Sequence, residues 1–441
     1  MDEKPQKIWR RFRIGICCAL VLAAVAGAML WSGGADAGPG RSGPDVTVLY
    51  LTSVANNGVS GGVRGYSVGT TSCNIGNEPL WWCNDAGDTF CDVNQHPVIA
   101  QNLYRLKDGR FEQLGMSWLK HGFFSVNSSD STCGSSCQSP PHGGDQLGVG
   151  CTDPYGSGLN GSRPLGMRSE VNGATGEFPY PYTTVGHSGV NQWIQVKESE
   201  VDPAQNTGAR YWVEGHYIAA DDAEAGNALN NASHREVLVS GANFDLQVTG
   251  PTIWQEPAIS AWQAVDPTVQ MMNIDVPTPL GGLAGSITER FHVARKVTDT
   301  AGGFHYEYAI HNHNSDRSAN RFRLEFPVDT VISNAGFRDV PHHSGEPYDA
   351  NDWVVTIDQA AGTVTWETDD HAVNANANAL RWGTMFTFWV DAEESVRAHR
   401  LDFFKPGTPA GVYFTFGGGS EPIFIDDFES GNANSWTDVF P

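Results

Sequence analysis

Two histidines that are two positions apart, His311 and His313, end a segment in which aromatic and polar residues alternate. Side chains alternate between the faces of a β-strand, so both imidazoles share one face with their Cα atoms about 7 Å apart. This spacing suits two nitrogen ligands of copper or zinc. His342 and His343, in the next long loop, are candidates for further ligands. The alternative interpretation is a strand whose histidine-bearing face is exposed to solvent and binds no metal.

Three further sets of residues could do chemistry. His96 and His121 flank a predicted hairpin and either converge on one site or cap strands. Trp389 lies on the face of its strand opposite the phenylalanines, which makes it the best candidate for an exposed ring that binds sugars. The acidic cluster of Asp221, Asp222, Glu224 and Asn227 offers oxygen atoms that suit calcium, although a solvated acidic loop has the same composition.

The N-terminal 37 residues determine how these candidates are interpreted. A basic start precedes an apolar run from Ile14 to Trp31, and Ala35-Asp36-Ala37 follows. This order predicts a secretory signal peptide. The alternative is an uncleaved anchor, but the run is at the lower limit of the roughly 20 residues that span a bilayer. We therefore predict a secreted or cell-surface protein with no membrane span after cleavage.

Charge excludes some partners. Removing five basic and three acidic residues with the signal peptide changes the net charge from −23 to −25. Nucleic acids and anionic lipid surfaces both require basic patches, so neither is an expected partner.

The cysteines indicate disulfides. Two of the eight, Cys17 and Cys18, lie in the predicted signal peptide. An even number in an oxidising compartment predicts three disulfides, with fifteen pairings open. A metal site on Cys133 and Cys137 is the alternative, but their spacing is not that of a CxxC pair. The six expected disulfide cysteines are Cys73, Cys83, Cys91, Cys133, Cys137 and Cys151.

The elements that position these residues are predicted to be strands. Short β-branched and aromatic segments separated by Gly, Pro, Asn and Asp predict an all-β protein with few helices after the signal peptide. Asp108-Gly109 predicts a type I′ hairpin turn, and residues 56–62 predict a loop. The expected organisation is a signal peptide (1–37), a linker (38–44), a disulfide-tied β-rich domain with long loops (45–250), a connection (251–284), a β-sandwich domain of immunoglobulin or fibronectin type (285–417), and a glycine spacer with a C-terminal tail (418–441).

Three segments carry a resemblance to known proteins. They are HPVIAQNLYRLKDGRFEQLGMSWLKHGF from His96, YWVEGHYIAADDAEAGNALNNAS from Tyr211 and NALRWGT from Asn378, and they resemble an uncharacterised family of large exported bacterial proteins. The tail from Phe424 to Trp436 is similar to the FESG…W endings of exported bacterial proteins. The resemblance implies bacterial export and this overall organisation, and it assigns no catalytic residue.

Two functions are expected from these observations. The first is a protein that binds an extracellular polymer, either polysaccharide or cell-envelope material, through exposed aromatic rings. The alternative is a secreted enzyme that depends on copper or zinc held by the histidine cluster of the sandwich domain. Whether the chain is an enzyme is left open by the sequence, as is the identity of any cofactor among copper, zinc and calcium.

Overall fold

The structure is a computed structural model, and it describes residues 42–83, 87, 89–134, 136–279, 286–341 and 345–416. The predicted signal peptide, the C-terminal tail, His342 and His343 lie outside the described residues. Strands make up 45% of the described residues and helical segments 8%, so the all-β class is confirmed. Within the described ranges, no helix is long and apolar enough to cross a membrane.

Strands dominate both halves of the chain. The first half contains β1 (Val46–Ser60), β2 (Val63–Asn74), β3 (Leu80–Trp81), β4 (Val98–Lys107), β5 (Arg110–Met116), β6 (Lys120–His121), β7 (Ser128–Ser129), β8 (Gln146–Leu147), β9 (Cys151–Tyr155), β10 (Ile194–Lys197), β11 (Arg210–Ile218), β12 (Ala232–Ser240) and β13 (Asp245–Val248). The second half contains β14 (Gln270–Pro279), β15 (Ser286–Thr300), β16 (Gly303–Asn312), β17 (Ala319–Glu325), β18 (Ile332–Arg338), β19 (Val354–Asp358), β20 (Thr363–Glu367), β21 (Thr384–Ala392), β22 (Ala398–Phe403) and β23 (Gly411–Phe414). The short α-helices are α1 (Ser157–Asn160), α2 (Glu198–Val201), α3 (Ala220–Glu224) and α4 (Ser260–Val265).

These strands form four larger antiparallel sheets. Sheet 1 has the order β1-β2-β9-β7 with β10 beside β2, and sheet 2 has the order β13-β12-β11-β4-β5 with β6 beside β4. Sheet 3 has the order β14-β15-β16-β21-β18, and sheet 4 has the order β19-β20-β17-β22-β23. Sheets 3 and 4 face each other as a β-sandwich. Its strands lie in the range where the sequence predicts one, except for β14, which falls in the predicted connection.

The four sheets share three apolar cores, so they stack in order from 1 to 4. Representative pairs are Val48 and Val213 between sheets 1 and 2, Phe111 and Ala309 between sheets 2 and 3, and Phe322 and Phe388 between sheets 3 and 4. Sheets 2 and 3 are therefore covered on both faces. Strand β11 shows this directly, since every residue after Arg210 is buried.

The turns explain why two hairpins form as they do. Asp108 and Gly109 have φ angles of 53° and 85°, as the predicted type I′ turn between β4 and β5 requires. The loop predicted for residues 56–62 is wrong for most of its length. Strand β1 continues to Ser60 because a register shift after Asn56 absorbs the irregular sequence, and the turn is confined to Gly61 and Gly62.

Three disulfides tie the loops of the first half, as predicted. They join Cys73 to Cys133, Cys83 to Cys91 and Cys137 to Cys151, which selects one of the fifteen pairings that the sequence left open. The metal alternative for Cys133 and Cys137 is wrong, because each of them is bonded to another cysteine. Disulfides of this kind are compatible with an oxidising, extracellular compartment.

The segment between the two predicted domains takes part in the shared core. Helix α4 contributes Trp262 to the core between sheets 2 and 3, and strand β14 forms one edge of sheet 3. The described residues belong to one compact unit that starts at Arg41. A boundary between independently folding domains stays a prediction.

Candidate metal centre

The hairpin of β15 and β16 brings two histidines together. Its register places His292 directly opposite His311, and opposed residues share one face of an antiparallel pair. That face points toward sheet 2, because Val293 and Ile310 on the other face pack in the core with sheet 4. The interpretation of a solvent-exposed histidine face is therefore wrong. His311 is 1% exposed and His313 is 0% exposed, since sheet 2 covers them.

His313 follows the last residue of β16 and completes a group of three. Its backbone N–H donates to the carbonyl oxygen of Arg290 over 3.0 Å, which continues the ladder and keeps the ring on the same face as His311. One ring nitrogen of each of His292, His311 and His313 lies within 4.8 Å of a ring nitrogen of the other two.

A fourth imidazole enters from sheet 2. His216 lies on β11, fully buried, with its ring centroid 4.6 Å from that of His313. Its cross-strand neighbours are Ala100 on β4 and Ala232 on β12. Small side chains at these two positions leave room between the sheets for the cluster of four histidines.

Hydrogen bonds fix two of the rings. Nδ1 of His292 lies 2.8 Å from Oδ1 of Asn273, and Nε2 of His313 lies 3.2 Å from the carbonyl oxygen of Ala228. Both oxygens only accept, so each of these ring nitrogens donates. The lone pair is then on Nε2 of His292 and on Nδ1 of His313. This is the outer-shell arrangement that orients histidine ligands in metal sites.

The remaining ring nitrogens of the cluster have no hydrogen-bond partner among the described residues. They are six buried atoms: Nδ1 and Nε2 of His216, Nε2 of His292, Nδ1 and Nε2 of His311, and Nδ1 of His313. Buried polar atoms are nearly always hydrogen-bonded, and leaving one unpaired costs about 1–3 kcal/mol. Six such atoms in one place indicate that a further group belongs there.

Burial keeps all four imidazoles neutral at pH 7. It lowers the pKa of His311 and of His313 to about 3, and it lowers the pKa of His216 and of His292 well below the ordinary value. The neighbouring histidines, and Arg168 beside His311, lower these pKa values further. Neutral imidazole is the form that binds a metal ion.

The arrangement can hold one transition-metal ion. Zinc and copper bind imidazole nitrogen at about 2.0–2.1 Å, so nitrogens on one ion are roughly 3.4 Å apart. Small ring rotations would bring the three nitrogens from within 4.8 Å to that distance. The site is closed, because all four histidines are buried. Closed sites with all positions filled by protein are typical of structural metals, whereas catalytic metals keep one position open.

Sequence patterns identified only half of this cluster. The H-x-H spacing identified His311 and His313, and the register of the hairpin would have added His292, because the turn at residues 301–302 pairs it with His311. His216 comes from a distant strand, and no local spacing indicates it. The proposed ligands His342 and His343 lie outside the described residues.

His96 and His121 do converge, at a place separate from the cluster. Nε2 of His96 lies 2.9 Å from Nδ1 of His121, and Nδ1 of His96 donates to the carbonyl oxygen of Cys83 over 2.7 Å. Nε2 of His96 therefore accepts from Nδ1 of His121, which leaves the lone pair of His121 on Nε2. The His121 ring stacks on the ring of Tyr182, with centroids 3.7 Å apart. Burial lowers the pKa of His96 to about 4 and that of His121 to about 2.

Trp389 is half-buried and not freely exposed. The guanidinium carbon of Arg110 lies 3.5 Å from the centre of its ring, and Gly336 packs so closely that a β-carbon there would clash with the indole. Arg110 is itself held by two hydrogen bonds of 2.7 Å to Glu307. One face of the ring is therefore occupied by protein, and a role in ligand binding stays a prediction.

The acidic segment considered for calcium is not a solvated loop. Asp222 is fully buried, and its carboxylate accepts from the backbone N–H of Val46 and from the side chain of Asn231. Asp221 accepts from the backbone N–H of Trp81. These carboxylates anchor the start of β1 and the end of β3, which accounts for Asp221 and Asp222 without calcium.

The chain matches no protein-family model and no curated protein. Among solved structures it is similar to the N-terminal domain of the Streptococcus gordonii adhesin Sgo0707, with 9% sequence identity over 82% of this chain and 94% of that chain. The TM-score of 0.14 is too low for this likeness to support an argument about fold or function.

Proposed function

We propose that this chain is an exported metalloprotein that binds a first-row transition metal through His292, His311 and His313, with His216 completing the coordination. The observation that carries the proposal is the set of six buried ring nitrogens without a partner in the described structure. Two of the three rings are already oriented by outer hydrogen bonds, as in known histidine metal sites.

The position of the site suggests what the ion does. His216 belongs to sheet 2 and the other three histidines belong to sheet 3 or follow its β16 strand, so a shared ion would join the two inner sheets. A closed histidine site favours a structural role over catalysis. The proposal therefore keeps copper or zinc binding from the sequence-based alternative and leaves catalysis out.

Binding of an extracellular polymer stays a prediction. It requires exposed aromatic rings, and Trp389 has one face covered by Arg110. In the described part of the chain, the exposed aromatic side chains include Phe90, Phe123 and Phe124, which lie near the disulfide-tied loops.

Metal analysis of the purified protein tests the proposal. The protein is produced with its disulfides intact, purified without chelator and measured by elemental mass spectrometry. We expect about one equivalent of a transition metal in the wild type and a loss of at least roughly tenfold in the double variant His311→Ala, His313→Ala, since mutation of ligands removes the ion.

The matched control is His187→Ala, which removes an exposed histidine that is not a member of the cluster and should keep full occupancy. The proposal is refuted if the wild type carries less than one equivalent after it is unfolded with its disulfides intact and refolded in the presence of copper or zinc. It is also refuted if the double variant stays folded and retains full occupancy.

A further inference from the structure

The ligands of the proposed centre carry no charge. Among the described residues, the group of mutually close ligand atoms consists of imidazole nitrogens alone, with no carboxylate or thiolate in it. The six cysteines of the described region are all in disulfides and offer no thiolate. An ion bound here keeps its full charge, because neutral ligands do not offset it.

The nearest fixed charges do not compensate the ion either. Arg168 is buried close enough to lower the pKa of His311, and it donates to the carbonyl oxygens of Ser117, Gln101 and Gly383. The carboxylate of Glu214 is fully buried and accepts from Asn102, Tyr104 and the backbone N–H of Ala258. These two groups carry opposite charges. Arg290, which also lowers the pKa of His292 and His313, is paired with Asp275 by two hydrogen bonds of 2.6 Å, so the interior around the site is close to neutral before metal binds.

The charge of the ion then decides which metal the site prefers. The cost of transferring an ion from water into a low-dielectric interior rises with the square of its charge, so a divalent ion costs about four times as much as a monovalent one. All four histidines are at most 7% exposed, which places the ion in such an interior.

A soft side chain lies beside the cluster. Met385 on β21 is the cross-strand partner of His311 and therefore shares its face, and it is 1% exposed. Thioether sulfur, together with imidazole, favours copper(I) over zinc and over harder ions. Copper(I) also accepts two or three ligands, so three neutral nitrogens suffice for it.

From the neutral ligands, the burial and the neighbouring thioether we infer that the site selects copper(I) over zinc(II). This inference rests on the proposed metal centre and adds the identity of its ion. The site could bind a metal without preferring copper(I), so selectivity and metal binding are tested separately.

Competition titrations test the selectivity. The apo protein is unfolded with its disulfides intact and refolded without oxygen, once with copper(I) and a chromophoric copper(I) chelator and once with zinc(II) and a zinc chelator, so that the buried site can equilibrate with each ion. We expect one equivalent of copper(I) bound at least about 100-fold more tightly than zinc(II). Bound copper should show the X-ray absorption edge of copper(I) and no paramagnetic resonance signal.

A pair of variants isolates the effect of charge. His216→Glu replaces the ligand from sheet 2 with a negatively charged one, and His216→Gln is its neutral control. The charge in the first variant should reduce the copper(I) preference by roughly tenfold or more relative to the second, because it offsets the second charge of zinc. Circular dichroism verifies that both variants fold.

The outcomes separate the two proposals. Zinc(II) binding as tight as copper(I) in the wild type overturns the copper(I) inference and leaves the metal centre intact. Failure to bind either ion overturns both. If His216→Glu does not fold, the wild-type titration and the absorption edge decide alone.

Discussion

At the scale of single residues, the main feature is a set of imidazole nitrogens that are buried away from water and make no hydrogen bond to any described residue. His216 and His311 are the extreme cases, because both ring nitrogens of each are buried without a hydrogen bond to any described residue. In the metal-free protein each of these nitrogens lowers the unfolding free energy by about 1–3 kcal/mol. With an ion bound, one nitrogen of each ring becomes a ligand.

One substitution is expected to raise the stability of the metal-free protein and to lower that of the metal-loaded protein. His311→Phe keeps an aromatic ring of similar size and removes both nitrogens, so it should raise the unfolding free energy of the metal-free protein by about 1–3 kcal/mol. In the metal-loaded protein the same change removes a ligand and should lower the stability. Denaturant melts with chelator and with added metal measure both values.

If His311→Phe lowers the unfolding free energy equally with chelator and with added metal, the prediction is contradicted. His187→Ala is the control and should have no effect in either condition, because its side chain is exposed. At this scale the sequence identified His311 and His313 through their spacing. It could not identify His216, whose contact with them depends on how two sheets face each other.

At the scale of elements, the hairpins follow local sequence and the disulfide pairing does not. Asp108-Gly109 requires a specific turn, and β4 and β5 follow from it. The faces of β16 were predicted correctly by alternation, but the partner of its histidine-bearing face was not, because sheet 2 is formed by residues far away in sequence. The same limitation applies to the cysteines, whose pairing depends on loop paths that spacing does not define.

The disulfides are expected to differ in their contribution to stability. Cys73–Cys133 closes a loop of 60 residues, whereas Cys83–Cys91 closes one of 8. Loop-closure entropy predicts a loss of about 4 kcal/mol for Cys73→Ala with Cys133→Ala and about 2.5 kcal/mol for the shorter pair. Denaturant unfolding of the two double variants measures the difference, and a larger loss for the short loop would contradict the entropy argument.

At the scale of the whole molecule, two sets of buried groups change the stability of the protein in opposite directions as pH falls. Burial lowers the pKa of histidines outside the metal centre, such as His121 and His399, and raises the pKa of carboxyls such as Asp153, to about 7, and Asp339, to about 6. The histidines make the protein less stable as pH falls below about 6.5, because the unfolded chain binds their protons first. The carboxyls make it more stable over the same range.

His121→Phe separates these contributions. The variant keeps a ring against Tyr182 and removes a group whose pKa is lowered to about 2. Its stability relative to wild type should therefore increase steadily as pH falls from about 6.5 to 4. Thermal unfolding across this range gives the relative slope. His187→Ala should show no such trend, and a slope of zero for His121→Phe would contradict the lowered pKa.

The stack of four sheets is the part of the fold that the sequence predicts least. Composition and alternation predict strands and a sandwich, and both are present. They do not reveal that sheets 2 and 3 share a core, since a residue such as Ala309 is as acceptable at a surface as at an interface. Stacking depends on contacts between residues that are far apart in the chain.

The burial of the histidine cluster between sheets 2 and 3 has a kinetic consequence. Nitrogens with no solvent-accessible surface cannot exchange ligands with the solution while the sheets stay packed. An ion held there would leave only when those sheets separate, at a rate set by local or global opening, which takes hours to days in stable domains. The ion would then bind while the chain folds, and the mature protein would carry a metal that was present at that time.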